Sequence, residues 1–172
     1  MSTHPSTPVQ VDPDVDLHVP QRRQQRAFDP VVLAVIAVGG VVGSEARYAL
    51  HVWSPGGDGA SPGGDGGWPW GTWWANVAGS LLLGALMVVL TELTSPHRLL
   101  RPFLGVGVLG GFTTFSTVMV EVPGLMAAGR PGMALGYLVG TAMAALVAAA
   151  VGVTAIRAAA AGWHRLRRRR SR

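Results

Sequence analysis

The chain has 172 residues, of which 49% are hydrophobic and 13% are charged, and its mean hydropathy is +0.34. This composition is too apolar for a soluble domain of this size, so it favours a membrane protein. The absence of cysteine excludes disulfides, thiolate nucleophiles and cysteine–zinc sites. The formal net charge of +5 comes from arginines that mostly flank apolar segments, which indicates membrane orientation and no nucleic-acid partner.

Residues 1–28 are rich in Pro, Asp, Gln and Arg and lack apolar periodicity, so they predict a disordered basic cytoplasmic tail. Residues 29–160 then predict a four-helix transmembrane domain, and residues 161–172 an arginine-rich cytoplasmic tail. The expected fold is therefore an all-α membrane protein. Its four predicted spans are residues 30–53, 70–91, 103–125 and 131–156.

Four spans place both termini on the same side of the membrane. With the termini in the cytoplasm, three arginines of the N-terminal tail, two of the second loop and seven from Arg157 onward are cytoplasmic, and only Arg130 lies in an external loop. Positively charged residues concentrate on the cytoplasmic side of membrane proteins. The sequence thus predicts a multi-pass protein of the cell's inner or plasma membrane with both termini cytoplasmic.

The third span contains an unusual polar stretch. Gly110 and Gly111 are followed by Thr113, Thr114, Ser116 and Thr117 inside an apolar run. Glycine weakens a helix interior by roughly 1 kcal/mol relative to alanine, and non-helical backbone in a membrane must be buried in protein or line a cavity. Two interpretations remain open for the stretch itself: a tight helix contact through Gly107 and Gly111, or an ion site.

Polar residues also occur in the other spans. Asn76 follows Thr72 by one turn in the second span, and Tyr137 and Thr141 share one face of the fourth. A single asparagine in a membrane helix often only joins helices. Arg47, near the end of the first span, is either functional or simply reaches the interface.

Three segments carry a resemblance to a known family. They are residues 39–48 (GGVVGSEARY), 71–79 (GTWWANVAG) and 110–121 (GGFTTFSTVMVE). In this order and spacing they resemble the bacterial fluoride channel family, called Fluc or CrcB. The resemblance covers all four spans and neither tail.

The resemblance implies an antiparallel dimer of four-helix subunits that lets fluoride leave the cytoplasm passively through two pathways along the subunit interface. It also implies that the third helix is broken in mid-membrane. A structural, non-transported sodium ion (Na⁺) would be held at the dimer centre by the backbone carbonyls of Gly110 and Thr113. Na⁺ is a hard cation and should prefer such oxygen ligands.

The chemistry of fluoride indicates which side chains would line the pathway. A small, strongly hydrated anion needs hydrogen-bond donors or the positive edge of an aromatic ring to replace its water, and a nearby cation raises its local concentration. The residues assigned to the fluoride pathway are Asn76, Phe115, Thr117, Thr72, Tyr137, Thr141 and Arg47.

One position departs from the family pattern. A second phenylalanine usually follows the first by three residues, and here that residue is Val118. Together with the one-sided arginine distribution, this favours a second, inverted subunit that is a homologous chain, although pairing with itself stays open. Membrane lipid is the other expected partner.

Two other functions fit less well. A small proton-coupled multidrug transporter would need a membrane carboxylate in the first span, and Glu45, the only candidate, lies late in the span beside Arg47. A non-conducting subunit of a fluoride channel heterodimer remains open because of Val118. An enzyme is not expected, since the sequence lacks a metal-binding His cluster, a nucleophile–base pair and a phosphate loop.

Overall fold

The computed structural model describes the backbone of residues 29–54, 67–94 and 96–170 and the side chains as far as Trp163. In these residues all regular structure is helical. Four helical segments are long and apolar enough to cross a membrane: Pro30–Trp53, Trp70–Leu93, Pro102–Ala127 and Pro131–Trp163. The predicted all-α fold with four spans is therefore confirmed, whereas the tail predicted for residues 1–28 lies outside the described residues.

The helices are numbered in chain order. They are α1 (Pro30–Trp53), α2 (Trp70–Val88, continued by the π-helical turn Val89–Leu93), α3 (the π-helical segment Pro102–Leu109 and the α-helical turn Gly110–Phe112), α4 (Ser116–Ala127) and α5 (Pro131–Arg170). Helices α3 and α4 together make the third span. Helix α5 continues well beyond the predicted end of the fourth span at residue 156, so the arginine-rich segment is helical as far as Arg170.

Helix α1 begins where the sequence supplies a cap. The Asp29 carboxylate accepts a hydrogen bond from the Val31 N–H at 2.9 Å, and Pro30 occupies the first turn, where its missing N–H costs nothing. The helix ends at Trp53. The hydroxyl of the next residue, Ser54, donates to the His51 carbonyl at 2.8 Å and closes the last turn.

Glycines bring α1 and α3 into direct backbone contact. A Cβ atom added to Gly107 would lie 2.9 Å from the Cα of Gly39, and one added to Gly43 would lie 2.8 Å from the Phe112 nitrogen. Real Cβ atoms do not approach other atoms so closely, so only glycine fits. The interpretation of Gly107 as part of a tight helix–helix contact is confirmed.

Helices α4 and α5 form a hairpin whose core supports the polar residues of the third span. The turn between them uses Gly129 at φ +73°, a conformation that favours glycine. The buried cluster contains Val118, Leu125, Ala134 and Tyr137. The Trp68 ring meets Tyr137 edge to face at 5.4 Å and closes this core beside the start of α2.

Candidate functional site

The helical path of the third span ends at Phe112 and resumes at Ser116, and Thr113 between them is extended at φ −83° and ψ 153°. The Thr114 N–H does not bond to the carbonyl of Gly110, as it would in a continuous helix. It donates instead to the Asn76 side-chain oxygen at 2.7 Å. The bond that would continue the helix at this point is replaced by a bond to α2.

A second backbone donor is diverted one turn further along. The Thr117 N–H donates to the Thr114 hydroxyl at 3.2 Å, whereas a continuous helix would direct it to the Thr113 carbonyl. The carbonyls of Gly110 and Thr113 therefore both lose their usual helical donors. Helix ends release carbonyls in this way, and the released oxygens are available to other partners.

Asn76 holds the interruption to α2 through both ends of its amide. Besides accepting from the Thr114 N–H, it donates to the Thr114 carbonyl at 2.8 Å. Asn76 is buried, and one of its two N–H groups is used in this pair. The interpretation of this asparagine as a link between helices is confirmed, and the amide retains a second N–H for another acceptor.

A cavity of about 250 Å³ adjoins this amide, and we call it the asparagine cavity. It brings three of the predicted pathway residues together with Val118 and several small side chains. Its lining residues are Asn76, Ser80, Thr113, Thr114, Phe115, Val118, Leu138, Thr141, Ala142 and Ala145. The buried Thr141 hydroxyl has no hydrogen-bond partner among the described residues.

A second cavity, of about 200 Å³, lies between the end of α1 and the start of α2, and we call it the arginine cavity. It holds another group of the predicted residues. It is lined by Ser44, Arg47, Tyr48, His51, Thr72 and Thr117. The guanidinium makes this cavity attractive to anions.

Hydroxyl groups connect the two cavities. Thr117 lines the arginine cavity, Thr114 lines the asparagine cavity, and their hydroxyl oxygens are 3.0 Å apart. The Thr114 hydroxyl is also 3.2 Å from that of Ser116. On the opposite wall, Thr72 and Asn76 stand one turn apart on α2. The result is a polar track between otherwise apolar helices.

Glu121 is a feature that the sequence interpretation left out of the site. Its side chain is completely buried and accepts hydrogen bonds from the Thr72 hydroxyl at 2.7 Å and the Tyr137 hydroxyl at 2.5 Å. Tyr137 is itself completely buried and lines neither cavity. A buried, hydrogen-bonded residue of this kind can be recognised in the sequence as a carboxylate inside an apolar span. Burying a carboxylate without hydrogen-bond partners is very costly, so partners on other helices are expected.

One face of the third span is open among the described residues. The Phe115 side chain is 68% exposed although it borders the asparagine cavity. A Cβ atom added to Gly110 would meet nothing closer than the Gly105 oxygen at 3.8 Å. By contrast Val118, one turn after Phe115, is only 2% exposed and belongs to the α4–α5 core.

No group of three or more His, Cys, Asp or Glu side chains able to hold a metal occurs in the part of the chain with described side chains. These residues therefore offer no cluster of side chains as a candidate metal site. The candidate cation ligands are instead backbone groups, the carbonyls of Gly110 and Thr113.

Comparisons with known proteins identify relatives along most of the chain. The model of the family described as "CrcB-like protein, Camphor Resistance (CrcB)" matches residues 34–153. A "Fluoride-specific ion channel FluC 2" of Nocardia farcinica is 45% identical over 130 residues, which cover 76% of this chain and 88% of that protein. A "Fluoride-specific ion channel FluC 1" of Streptomyces coelicolor is 47% identical over 129 residues, covering 75% and 79%.

A more distant organism carries a similar protein. The "Fluoride-specific ion channel FluC" of Thermus thermophilus is 41% identical over 120 residues, covering 69% of this chain and 87% of that protein. All three relatives are named as ion channels, which are not enzymes, in agreement with the sequence interpretation. The matched region contains every residue of both cavities.

Proposed function

Because the chain belongs to the CrcB family, whose curated relatives are named fluoride-specific ion channels, we propose that it conducts fluoride passively out of the cytoplasm and so lowers fluoride toxicity. The observation that carries this proposal is the polar track from Arg47 through Thr117 and Thr114 to Asn76. Apolar helices that only pack together have no need of such a track. A passive channel needs only a continuous set of sites that replace the water of the ion.

The asparagine cavity supplies the donors that a dehydrated fluoride ion requires. Asn76 and Thr141 both line it, the first with a second N–H group and the second with a hydroxyl that has no partner among the described residues. Phe115 borders it as well, and the edge of its ring is positive. Such fixed donors, in a site that excludes most water, interact more strongly with an anion than they would in bulk solvent.

The arginine cavity acts as the vestibule in this proposal. Arg47 raises the local concentration of anions at the external end of the track, because α1 starts on the cytoplasmic side in the proposed orientation. Thr117 then offers a hydroxyl that leads to Thr114. Each anion would exchange hydration water for hydroxyl contacts stepwise, so that no single step removes the whole hydration shell.

Thr72 and Tyr137 take a different part from the one expected for them. Both hydroxyls donate to the buried Glu121 carboxylate, so neither is free to donate to an anion in this arrangement. We assign them the role of positioning the carboxylate and joining α2, α4 and α5 behind the track. Tyr137 lines neither cavity, whereas each of the other residues expected in the pathway, Thr72 included, lines one of them.

A second subunit completes the proposed channel. The exposed Phe115 ring and the open side of Gly110 lie on the same part of the third span, and an inverted partner packed there would bury the ring and enclose the pathway. The one-sided arginine distribution favours a homologous chain of opposite orientation over a second copy of this chain. Val118 supports the second candidate function, that of a half-functional subunit, because it places an aliphatic side chain in the core where the family pattern has a ring.

The residues at the interruption fit the sodium ion that the family resemblance implies. The Gly110 and Thr113 carbonyls are hard oxygen donors that have lost their helical N–H partners. Bound there, sodium would neutralise carbonyl dipoles where two third spans meet. We expect protein in sodium chloride to unfold at a higher temperature than protein in N-methyl-D-glucamine chloride of equal ionic strength, because a ligand bound only by the folded state stabilises it. Equal unfolding temperatures would contradict sodium binding.

Efflux from liposomes tests the conduction proposal. Vesicles containing the purified chain and potassium fluoride, with valinomycin to balance charge, should release fluoride to an ion-selective electrode much faster than matched vesicles release chloride. Efflux that required an imposed proton gradient, or equal rates for the two anions, would refute the passive fluoride channel. If this chain alone gives no efflux but a co-expressed homologue restores it, the half-functional subunit is the correct description.

A further inference from the structure

His51 lines the arginine cavity but has no part in the pathway described so far. It lies on α1 one turn after Arg47, so the two side chains share a helix face, and both border the cavity. The imidazole is half-buried. A second basic group therefore stands beside the guanidinium at the Trp53 end of the helices.

The start of α2 is shaped to hold this histidine in place. A Cβ atom on Gly71 would lie 2.9 Å from the His51 Nδ1 atom and 2.8 Å from the Ser54 hydroxyl oxygen. Only glycine leaves room for them. Because Gly71 precedes Thr72, which lines the same cavity, the imidazole packs against the start of α2 at the wall of this cavity.

We infer that His51 is a proton-controlled anion-attracting group, whose positive form draws fluoride into the arginine cavity and increases the fluoride flux at acidic pH. This inference rests on the proposed fluoride conduction. Imidazole is the side chain that ordinarily changes charge between about pH 5 and 8. When protonated, His51 adds a second positive charge beside Arg47. When His51 is neutral, the Arg47 guanidinium is the positive charge that remains in the cavity lining.

Few other charged or titratable groups face the histidine in the described residues. Arg47 and Tyr48 share its cavity on α1, and the first turns of α2 contribute none. Glu121 and its partner Tyr137 lie behind Thr72. Asp58 and Asp65 belong to residues outside the described part of the chain. Glu121 is therefore the described group whose titration the experiment has to separate from that of His51.

Coulomb's law sets the size of the expected effect. One unit charge about 6 Å from an anion in water changes its local concentration about threefold. Salt screens such an interaction, so the effect should shrink as ionic strength rises. We therefore expect the flux to rise about threefold between about pH 8 and about pH 5.5 at low salt, and less at high salt.

Fluoride efflux from liposomes at the two pH values tests the inference, with the leak of protein-free vesicles subtracted because hydrofluoric acid crosses bilayers. His51→Gln should match the unaltered protein at the higher pH and show no rise at the lower one. His51→Arg should give the high flux at both values. His97→Gln serves as the control, because His97 is exposed in the loop before α3 and borders neither cavity.

Three results would overturn the inference. The first is an equal flux of the unaltered protein at both pH values. The second is a rise in flux that persists in His51→Gln, because the rise would then belong to another group such as Glu121. The third is that His51→Gln loses its flux at the higher pH, since the imidazole would then be structural. Absence of flux at every pH from the unaltered protein, both alone and with a co-expressed homologue, is a separate result that would refute the proposed function itself and, with it, this inference.

Discussion

Asn76, at the interruption of the third span, combines a structural task with a task in the proposed pathway. Its amide pairs with both backbone groups of Thr114, and it also borders a cavity with the unpaired Thr141 hydroxyl. The first task fixes the backbone that releases the Gly110 and Thr113 carbonyls. The second places an N–H donor on the proposed route of the anion. A substitution at this residue must be designed to separate them.

Asn76→Asp keeps the shape of the side chain and its bond from the Thr114 N–H, but it replaces the donor to the Thr114 carbonyl with an oxygen and places a negative charge beside the asparagine cavity. Two like charges about 4 Å apart repel by about 4 kcal/mol at an effective dielectric constant of 20. We expect fluoride efflux from liposomes to fall at least about tenfold. Thr154→Val is the control, since that exposed hydroxyl bonds only to carbonyls of its own helix. Unchanged efflux in Asn76→Asp would remove Asn76 from the pathway.

Tyr137→Phe deletes one of the two hydroxyls that bond to Glu121. Leaving a buried acceptor without its donor costs about 1–3 kcal/mol, so we expect the unfolding temperature in detergent to fall by about 2–10 °C. Tyr48→Phe is the matched control because the Tyr48 side chain is 65% exposed. Similar unfolding temperatures for the two variants would show that the bond to Glu121 contributes nothing to stability.

Helices and their contacts were predictable from the sequence where the signal is local. Span length and hydropathy depend on neighbours along the chain, so the four spans and the start of α1 at Pro30 agree with prediction. The partners of Glu121 lie on two other helices, 49 and 16 residues away. No periodicity within one helix encodes such a pairing. Tyr137 was accordingly expected to face an anion, and its hydroxyl bonds to a carboxylate.

The contact between α1 and α3 depends on which glycine of α1 faces its neighbour. A Cβ atom at Gly43 would lie 2.8 Å from the Phe112 nitrogen, whereas one at Gly40 would meet nothing within 4 Å. Gly43→Ala should therefore destabilise the folded protein by about 1–3 kcal/mol through overpacking. Gly40→Ala should be neutral or stabilising, because alanine favours a helix by roughly 1 kcal/mol. Thermal unfolding in detergent measures both, and equal effects of the two substitutions would contradict this helix contact.

The assembled channel depends on how each subunit inserts. Twelve arginines on one side against Arg130 on the other favour a single orientation with cytoplasmic termini. We expect a C-terminal fusion to a reporter active only in the cytoplasm to give signal, and the same fusion to a periplasm-specific reporter to give none. Comparable signal from both reporters would show dual insertion, and a dimer of two identical inverted chains would then replace the heterodimer.

Passive, fluoride-selective conduction is tested most directly by the reversal potential of the current across a planar bilayer that contains the protein. With a tenfold fluoride gradient, an impermeant anion replacing the fluoride on the dilute side and the cations equal on both sides, a passive fluoride channel should reverse at the fluoride equilibrium potential, about 59 mV in magnitude. An added proton gradient should not move that value. A reversal potential near zero, or one that follows the proton gradient, would contradict the channel proposed here.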